Sequence, residues 1–163
     1  MRWLIYGASG YSGKLIASHA KDMGLDFAIG GRRPAAMIPL GKELNCDVEL
    51  FDLTDTDTVA AHLKSYDAVL HCAGPFSQTS GPMFQACLKT GTHYLNITGE
   101  IEVFESLFAK CDAAKEAGIC VIPGVGFDVV PTDAVAGLLA EKLPQATHLT
   151  LAFRPSKAQL SHG

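Results

Sequence analysis

The sequence predicts a doubly wound, parallel α/β sheet, and three observations predict it. Short apolar runs alternate with segments of 3.6-residue periodicity, which is the pattern of repeated βαβ units. Several of the runs are continuously apolar rather than alternating, as expected for parallel strands covered by helices on both faces. A glycine-rich loop separates the first run from the first helical segment, Gly7-Ala8-Ser9-Gly10-Tyr11-Ser12-Gly13.

In chain order, the first strand is read over Trp3–Tyr6, and Ile16, Ala20 and Met23 share a face of the helix after the loop. Gly24 closes that helix at positive φ. Phe27–Gly30 and Val48–Phe51 are the second and third strands, with Thr54 or Asp55 placed to cap the helix that carries Val59 and Leu63. Ala68–Cys72 is the fourth strand. A helix with Phe84, Cys87 and Leu88 on one face follows, with Pro82 expected near its start and Gly91 at its end. Tyr94–Ile97 is the fifth strand. Ile101, Phe104, Leu107, Phe108 and Cys111 form one stripe closed by Gly118, and Ile119–Ile122 is the sixth strand.

The texture changes after Ile122. Pro123 to Phe127 reads as a loop and Thr132 to Lys142 as a helix. Leu149, Leu151 and Phe153 then alternate with polar or small residues, as in a half-exposed strand. Residues 1–143 are therefore expected to form one nucleotide-binding domain, and residues 144–163 the start of a second, truncated domain. An unpaired apolar strand invites association, so a further domain or a homodimer is expected to cover it.

Composition narrows the partners. A formal net charge of −4 argues against nucleic acid or an anionic membrane as the main partner. No apolar stretch approaches the ~20 residues that span a bilayer, and the apolar start is too short for a signal peptide. The five cysteines show no CxxC and no zinc spacing, so no metal is expected and the thiols read as reduced. A cytoplasmic protein is the expectation. Cys87 and Cys111 are expected to pack on helix stripes.

The glycine loop lies between a strand and a helix, the context in which it binds a dinucleotide. Gly7 permits the tight turn, Gly10 lets the backbone approach a pyrophosphate, and Gly13 lets the helix pack on the sheet. The amides of Gly10, Tyr11 and Ser12 are expected to face the phosphates, with the hydroxyls of Ser9 and Ser12 nearby. The second strand ends in Gly30-Gly31-Arg32-Arg33 with no carboxylate. A carboxylate there would chelate the ribose hydroxyls of NAD, whereas Arg32 and Arg33 offer a planar fork to the 2′-phosphate of NADP. NADP(H) is the expected cofactor, with NAD the weaker candidate. Asp52 and Leu53 end the third strand, where they either meet the adenine or, for Asp52, begin the cap of the next helix. Ala73 and Gly74 are expected along the ribose and pyrophosphate, with Pro75 stiffening the turn.

These segments together resemble the saccharopine dehydrogenase-like reductases, including their trans-acting enoyl reductase branch. The resemblance rests on the glycine loop, Gly31-Arg32, Cys72-Ala73-Gly74-Pro75-Phe76, Tyr94-Leu95-Asn96-Ile97-Thr98-Gly99-Glu100 and Gly126-Phe127-Asp128-Val129-Val130-Pro131-Thr132-Asp133, in order. It implies an NAD(P)-dependent oxidoreductase whose small-molecule substrate is bound by a second domain missing here. Asn96 departs from the Asp of many relatives.

No Tyr-x-x-x-Lys pair is present to act as a short-chain dehydrogenase acid, and Cys72 reads as a strand residue rather than a nucleophile. Glu100 and Asp128 are the carboxylates expected at the crevice rim, with Glu100 equally suited to the first turn of its helix. Asp128 is equally suited to bracing its loop. His93 reads as structural. No catalytic residue is assigned. Two functions follow: hydride transfer to or from a C=N, C=O or C=C bond, or NADP(H) sensing without turnover.

Overall fold

The computed structural model describes residues 1–127 and 129–152. Its elements are β1 (Trp3–Tyr6), α1 (Tyr11–Asp22), β2 (Phe27–Gly31), α2 (Pro34–Leu44), β3 (Asp47–Leu50), α3 (Thr56–Leu63), β4 (Ala68–His71), α4 (Phe76–Thr90), β5 (His93–Asn96), α5 (Ile101–Phe108), α6 (Cys111–Glu116), β6 (Val121–Ile122) and α7 (Val130–Lys142). The strands form one sheet in the order β3-β2-β1-β4-β5-β6, parallel throughout. The order reverses at β1, so the β1/β4 boundary is a switch point, where the loops after the strands open into a crevice.

Each sheet face has its own core, because successive side chains of a strand point to opposite sides. Leu4 and Tyr6 of β1 join Val59, Leu63, Met83, Phe84, Tyr94, Val103 and Leu107 beneath α3, α4 and α5. Ile5 points the other way, into a second cluster with Ala17, Ala20, Ile29, Met37 and Leu40 beneath α1 and α2. Burying one such aliphatic side chain contributes roughly 1.5–3 kcal/mol, so both covering layers are held mainly by apolar area.

Four sequence expectations are corrected. α4 begins at Phe76, so Pro82 lies inside it rather than near its start. The carbonyl that a residue-82 amide would have addressed belongs to exposed Gln78, where water can satisfy it. The stripe from Ile101 to Cys111 is broken between α5 and α6, because Lys110 leaves helical geometry (φ −111°, ψ 17°). Cys111 is consequently exposed, whereas Cys87 is buried as expected. Residues 147–152 form no strand, and the Phe153 end of that expected strand lies outside the described residues. α7 buries none of its side chains and leaves Val130, Val135, Leu138 and Leu139 exposed.

Candidate functional site

The loop from Gly7 to Gly13 connects β1 to α1 and stands at the switch point. Gly7 has φ +85°, a left-handed conformation that side-chain-bearing residues rarely adopt. A Cβ on Gly7 would also stand 2.7 Å from the backbone nitrogen of Ala73, so the glycine loop and the β4–α4 loop touch here. At Gly13 a Cβ would lie 2.4 Å from the Gly7 carbonyl oxygen and 2.8 Å from Ala8 Cα. Close packing of the helix start on the strand end therefore requires glycine at both positions.

Gly10 is different. Its φ of −76° suits any residue, and a Cβ there would meet only the Gly7 carbonyl oxygen, at 3.4 Å. Among the described residues nothing demands glycine at this exposed position, whereas a phosphate approaching the backbone would. Gly10 is also the N-cap of α1 and gives the helix no side-chain cap, so its first-turn amides are open to an outside acceptor. One expectation changes in detail. The Gly10 N–H donates to the Gly7 carbonyl at 3.0 Å and is already used. The amides of Tyr11, Ser12 and Gly13 are the first-turn amides that no helical carbonyl precedes.

Arg32 and Arg33 leave the end of β2 exposed to solvent. Arg33 Nη2 donates to Ser9 Oγ at 3.4 Å, bringing a guanidinium onto the glycine loop. Asp52 accepts from both the hydroxyl and the amide of Thr54. These bonds, the hydroxyl's first, hold its carboxyl below the usual carboxylate range, and the Arg32 charge adds a smaller pull. The cap of α3 is Asp55, which accepts from the amides of Asp57 and Thr58. Leu53 is partly buried against the core. Tyr6 lies beneath this end of the crevice, with its hydroxyl donating to the Phe51 carbonyl at 3.0 Å. Burial, and then the nearby Asp52 charge, pushes that phenol up to about 12, so it stays protonated.

Ala73, Gly74 and Pro75 form the opposite wall, and the Gly74–Pro75 peptide is cis. Thr79 holds this wall in place: its hydroxyl lies 2.6 Å from the Ala73 carbonyl and 3.0 Å from His71 Nε2. Because the hydroxyl donates to the carbonyl, His71 donates to the hydroxyl and carries its proton on Nε2. Burial lowers the His71 pKa to about 3, and its Nδ1 is buried without a partner. Burial likewise pushes the Cys72 thiol up to about 12, which disqualifies it as a ready thiolate.

Glu100 stands in the loop after β5 at the crevice rim, as read from sequence, and is the N-cap of α5 without capping it by its side chain. Its carboxylate reaches across to α4 and accepts the amides of Phe76 and Ser77, each at 2.8 Å. A capping acid from another segment leaves no local sequence signal. His93 is structural as expected, its Nδ1 accepting the Cys120 amide at 3.1 Å. Asp128 lies outside the described residues.

The structure thus brings the glycine loop, both arginines, Asp52 and the 73–75 loop to the carboxyl edge of one sheet, with cations and no free acid at the end of β2. The family profile "Saccharopine dehydrogenase NADP binding domain" matches residues 3–122. The chain belongs to this family. Its cofactor is NADP(H).

Among curated proteins, it is 28% identical over 150 residues to a saccharopine dehydrogenase-like oxidoreductase of Bos taurus, covering 80% of this chain and 35% of that protein. It is 31% identical over 140 residues to the trans-acting enoyl reductase of Mycobacterium tuberculosis, covering 80% of this chain and 33% of that protein. The chain therefore spans about a third of the length of these relatives. Its fold matches apo saccharopine dehydrogenase (L-Glu forming) from Saccharomyces cerevisiae with a TM-score of 0.76 and 18% identity, covering 89% of this chain and 32% of that one. It also matches the leucoanthocyanidin reductase–NADPH complex from Vitis vinifera with a TM-score of 0.57 and 17% identity, covering 76% of this chain and 46% of that one.

Among the described residues, no helix is long and apolar enough to cross a membrane, and no cluster of His, Cys, Asp or Glu is arranged to hold a metal ion.

Proposed function

We propose that this NADP-binding domain holds NADP(H) for hydride transfer to or from a C=N, C=O or C=C bond of a small molecule bound outside residues 1–143. Gly10 carries the reading, since it is the loop glycine with no internal packing reason to be one. In this reading the pyrophosphate lies over Gly10 and accepts from the amides of Tyr11, Ser12 and Gly13, with the hydroxyls of Ser9 and Ser12 beside it. Arg32 and Arg33 hold the 2′-phosphate, each hydrogen bond to a charged group contributing roughly 1.5–3 kcal/mol. Asp52 and Leu53 flank the adenine, while Ala73, Gly74 and Pro75 line the path of the second ribose. The nicotinamide supplies the hydride chemistry when bound, and the chain's part is to place it and shield it from water.

The exposed apolar residues of α7, together with Leu149 and Leu151, support a further domain or a second copy docking there. Free thiols at all five cysteines support a reducing compartment such as the cytoplasm.

Titration of the chain with NADPH and with NADH, followed by nicotinamide fluorescence, tests the cofactor assignment. NADPH binds more tightly if the reading is right, and equal affinities reject it. A sensing module without turnover is the outcome in which binding persists but a longer form containing the substrate region transfers no hydride.

A further inference from the structure

We propose that Glu100 is a positioning residue that holds the loops after β4, β5 and β6 as one platform for the nicotinamide half of NADP(H). The inference rests on the proposed placement of the cofactor and adds to it a residue outside the glycine loop and the 73–75 turn.

α4 cannot cap itself, because its N-cap is Pro75 and it makes no side-chain cap bond. Glu100 supplies the missing acceptors from outside, one carboxylate oxygen to each of the amides of Phe76 and Ser77. The Glu100 amide in turn donates to Thr98 Oγ1 at 3.0 Å, and the Thr98 amide donates to Asn96 Oδ1 at 3.2 Å. The same Asn96 oxygen accepts the Gly124 amide at 3.0 Å, and the Asn96 carbonyl accepts the Val125 amide at 2.8 Å. Asn96 Nδ2 completes the set by donating to the Tyr94 hydroxyl at 3.0 Å. Residues 96, 98 and 100 thus stitch the β4–α4 loop on one side to the segment after β6 on the other. Asn96 and Thr98 are fully buried, which strengthens these bonds and makes breaking them costly.

Sheet order decides which half of the cofactor this platform meets. The arginines and Asp52 end β2 and β3, on one side of β1. A dinucleotide with its 2′-phosphate at that side and its pyrophosphate over the loop after β1 must extend its other end over β4 and β5. The helices that follow the two central strands, α1 after β1 and α4 after β4, point their N-termini toward this crevice. That of α1 is open, whereas that of α4 is filled by the Glu100 carboxylate, which leaves α1 for the pyrophosphate and repels a second anion from α4.

The test compares NADPH with adenosine 2′,5′-bisphosphate, which contains the adenine half alone, on the 163-residue chain and on its Glu100→Ala and Glu100→Gln variants. Thermal melting is recorded in parallel. Glu100→Ala is expected to weaken NADPH roughly tenfold while leaving the bisphosphate unchanged. Glu100→Gln keeps the length and one acceptor oxygen, so its NADPH affinity falls between the other two; if the alanine variant does not fold, this comparison decides. Equal loss of both ligands would reduce Glu100 to a structural cap and overturn the proposal, as would unchanged NADPH affinity. A parent chain that binds neither ligand removes the cofactor placement itself, and this proposal with it.

Discussion

The guanidinium of Arg33 donates to the hydroxyl of Ser9 at 3.4 Å, so the end of β2 and the glycine loop meet through one side-chain pair. Both residues stand beside the open first turn of α1, and Arg32 is close enough to Asp52 for its charge to be felt there. The two arginines therefore face different neighbours, one toward the loop and one toward the end of β3.

Arg32→Ala should weaken NADPH roughly tenfold to a hundredfold and leave NADH nearly unchanged, because only NADPH carries the 2′-phosphate. Arg33→Ala should also weaken NADPH, and it additionally frees Ser9. Calorimetric titration of both variants with both cofactors measures the difference. Equal losses for NADPH and NADH would remove the 2′-phosphate role.

Gly10→Val and Gly13→Ala should fail in different ways. The Cβ of a valine at position 10 would meet only the Gly7 carbonyl oxygen, at 3.4 Å, so the variant should fold yet lose cofactor affinity steeply. A Cβ at Gly13 would sit 2.4 Å from a backbone oxygen, so that variant should lose roughly 1–3 kcal/mol of stability or more. Urea unfolding and NADPH titration on both proteins separate the outcomes. A stable Gly10→Val chain that binds like the parent would show that the pyrophosphate lies elsewhere.

The chain alone should bind NADPH but transfer no hydride. Its described residues leave α7 without a buried side chain, and the substrate that hydride transfer needs is proposed to bind outside residues 1–143. Holding reactants in position is worth effective molarities of roughly 10⁵–10⁸ M, so its absence suppresses turnover. NADPH consumption against imines, ketones and enoyl compounds checks this, with light scattering to report association through the apolar surface. Robust turnover by a monomer would contradict it.

His71 should make stability fall with acid. Its pKa is depressed by burial to about 3, so between that value and the ordinary 6.5 the unfolded chain binds the proton and the folded chain does not. Its contribution is fully present above about pH 6.5 and declines by up to ~1.4 kcal/mol per pH unit as the pH drops through that window. Urea unfolding of the parent and of His71→Asn at several pH values isolates this slope from that of the carboxylates. Parallel curves would show that His71 does not titrate in this way.

Much of the fold was legible because parallel strands and their helices carry local signals. β1, β2 and β4 appear within a residue of the apolar runs that predicted them, and Gly24, Gly91 and Gly118 all have positive φ. Pro82 misled because a proline is tolerated inside a helix when the orphaned carbonyl faces water, and exposure is not written in the local sequence. The alternation at Leu149 and Leu151 forms no strand, because a strand needs a partner as well as a pattern, and residues 147–152 have none among the described residues.

The sequence by itself determined the βαβ order, the placement of the glycine loop between β1 and α1, and the absence of an acid beside Arg32 and Arg33. These are properties of neighbouring residues, and neighbours along a chain share the same backbone geometry. Tertiary structure alone decided that Glu100 caps α4 across 24 and 23 positions of sequence, and that Gly7 abuts Ala73. It also decided that the Gly10 amide is already used and that His71 is buried and neutral. Each depends on which strands lie side by side: the energy of a hydrogen bond or a buried charge is set by distance and solvent in space, and separation along the chain encodes neither.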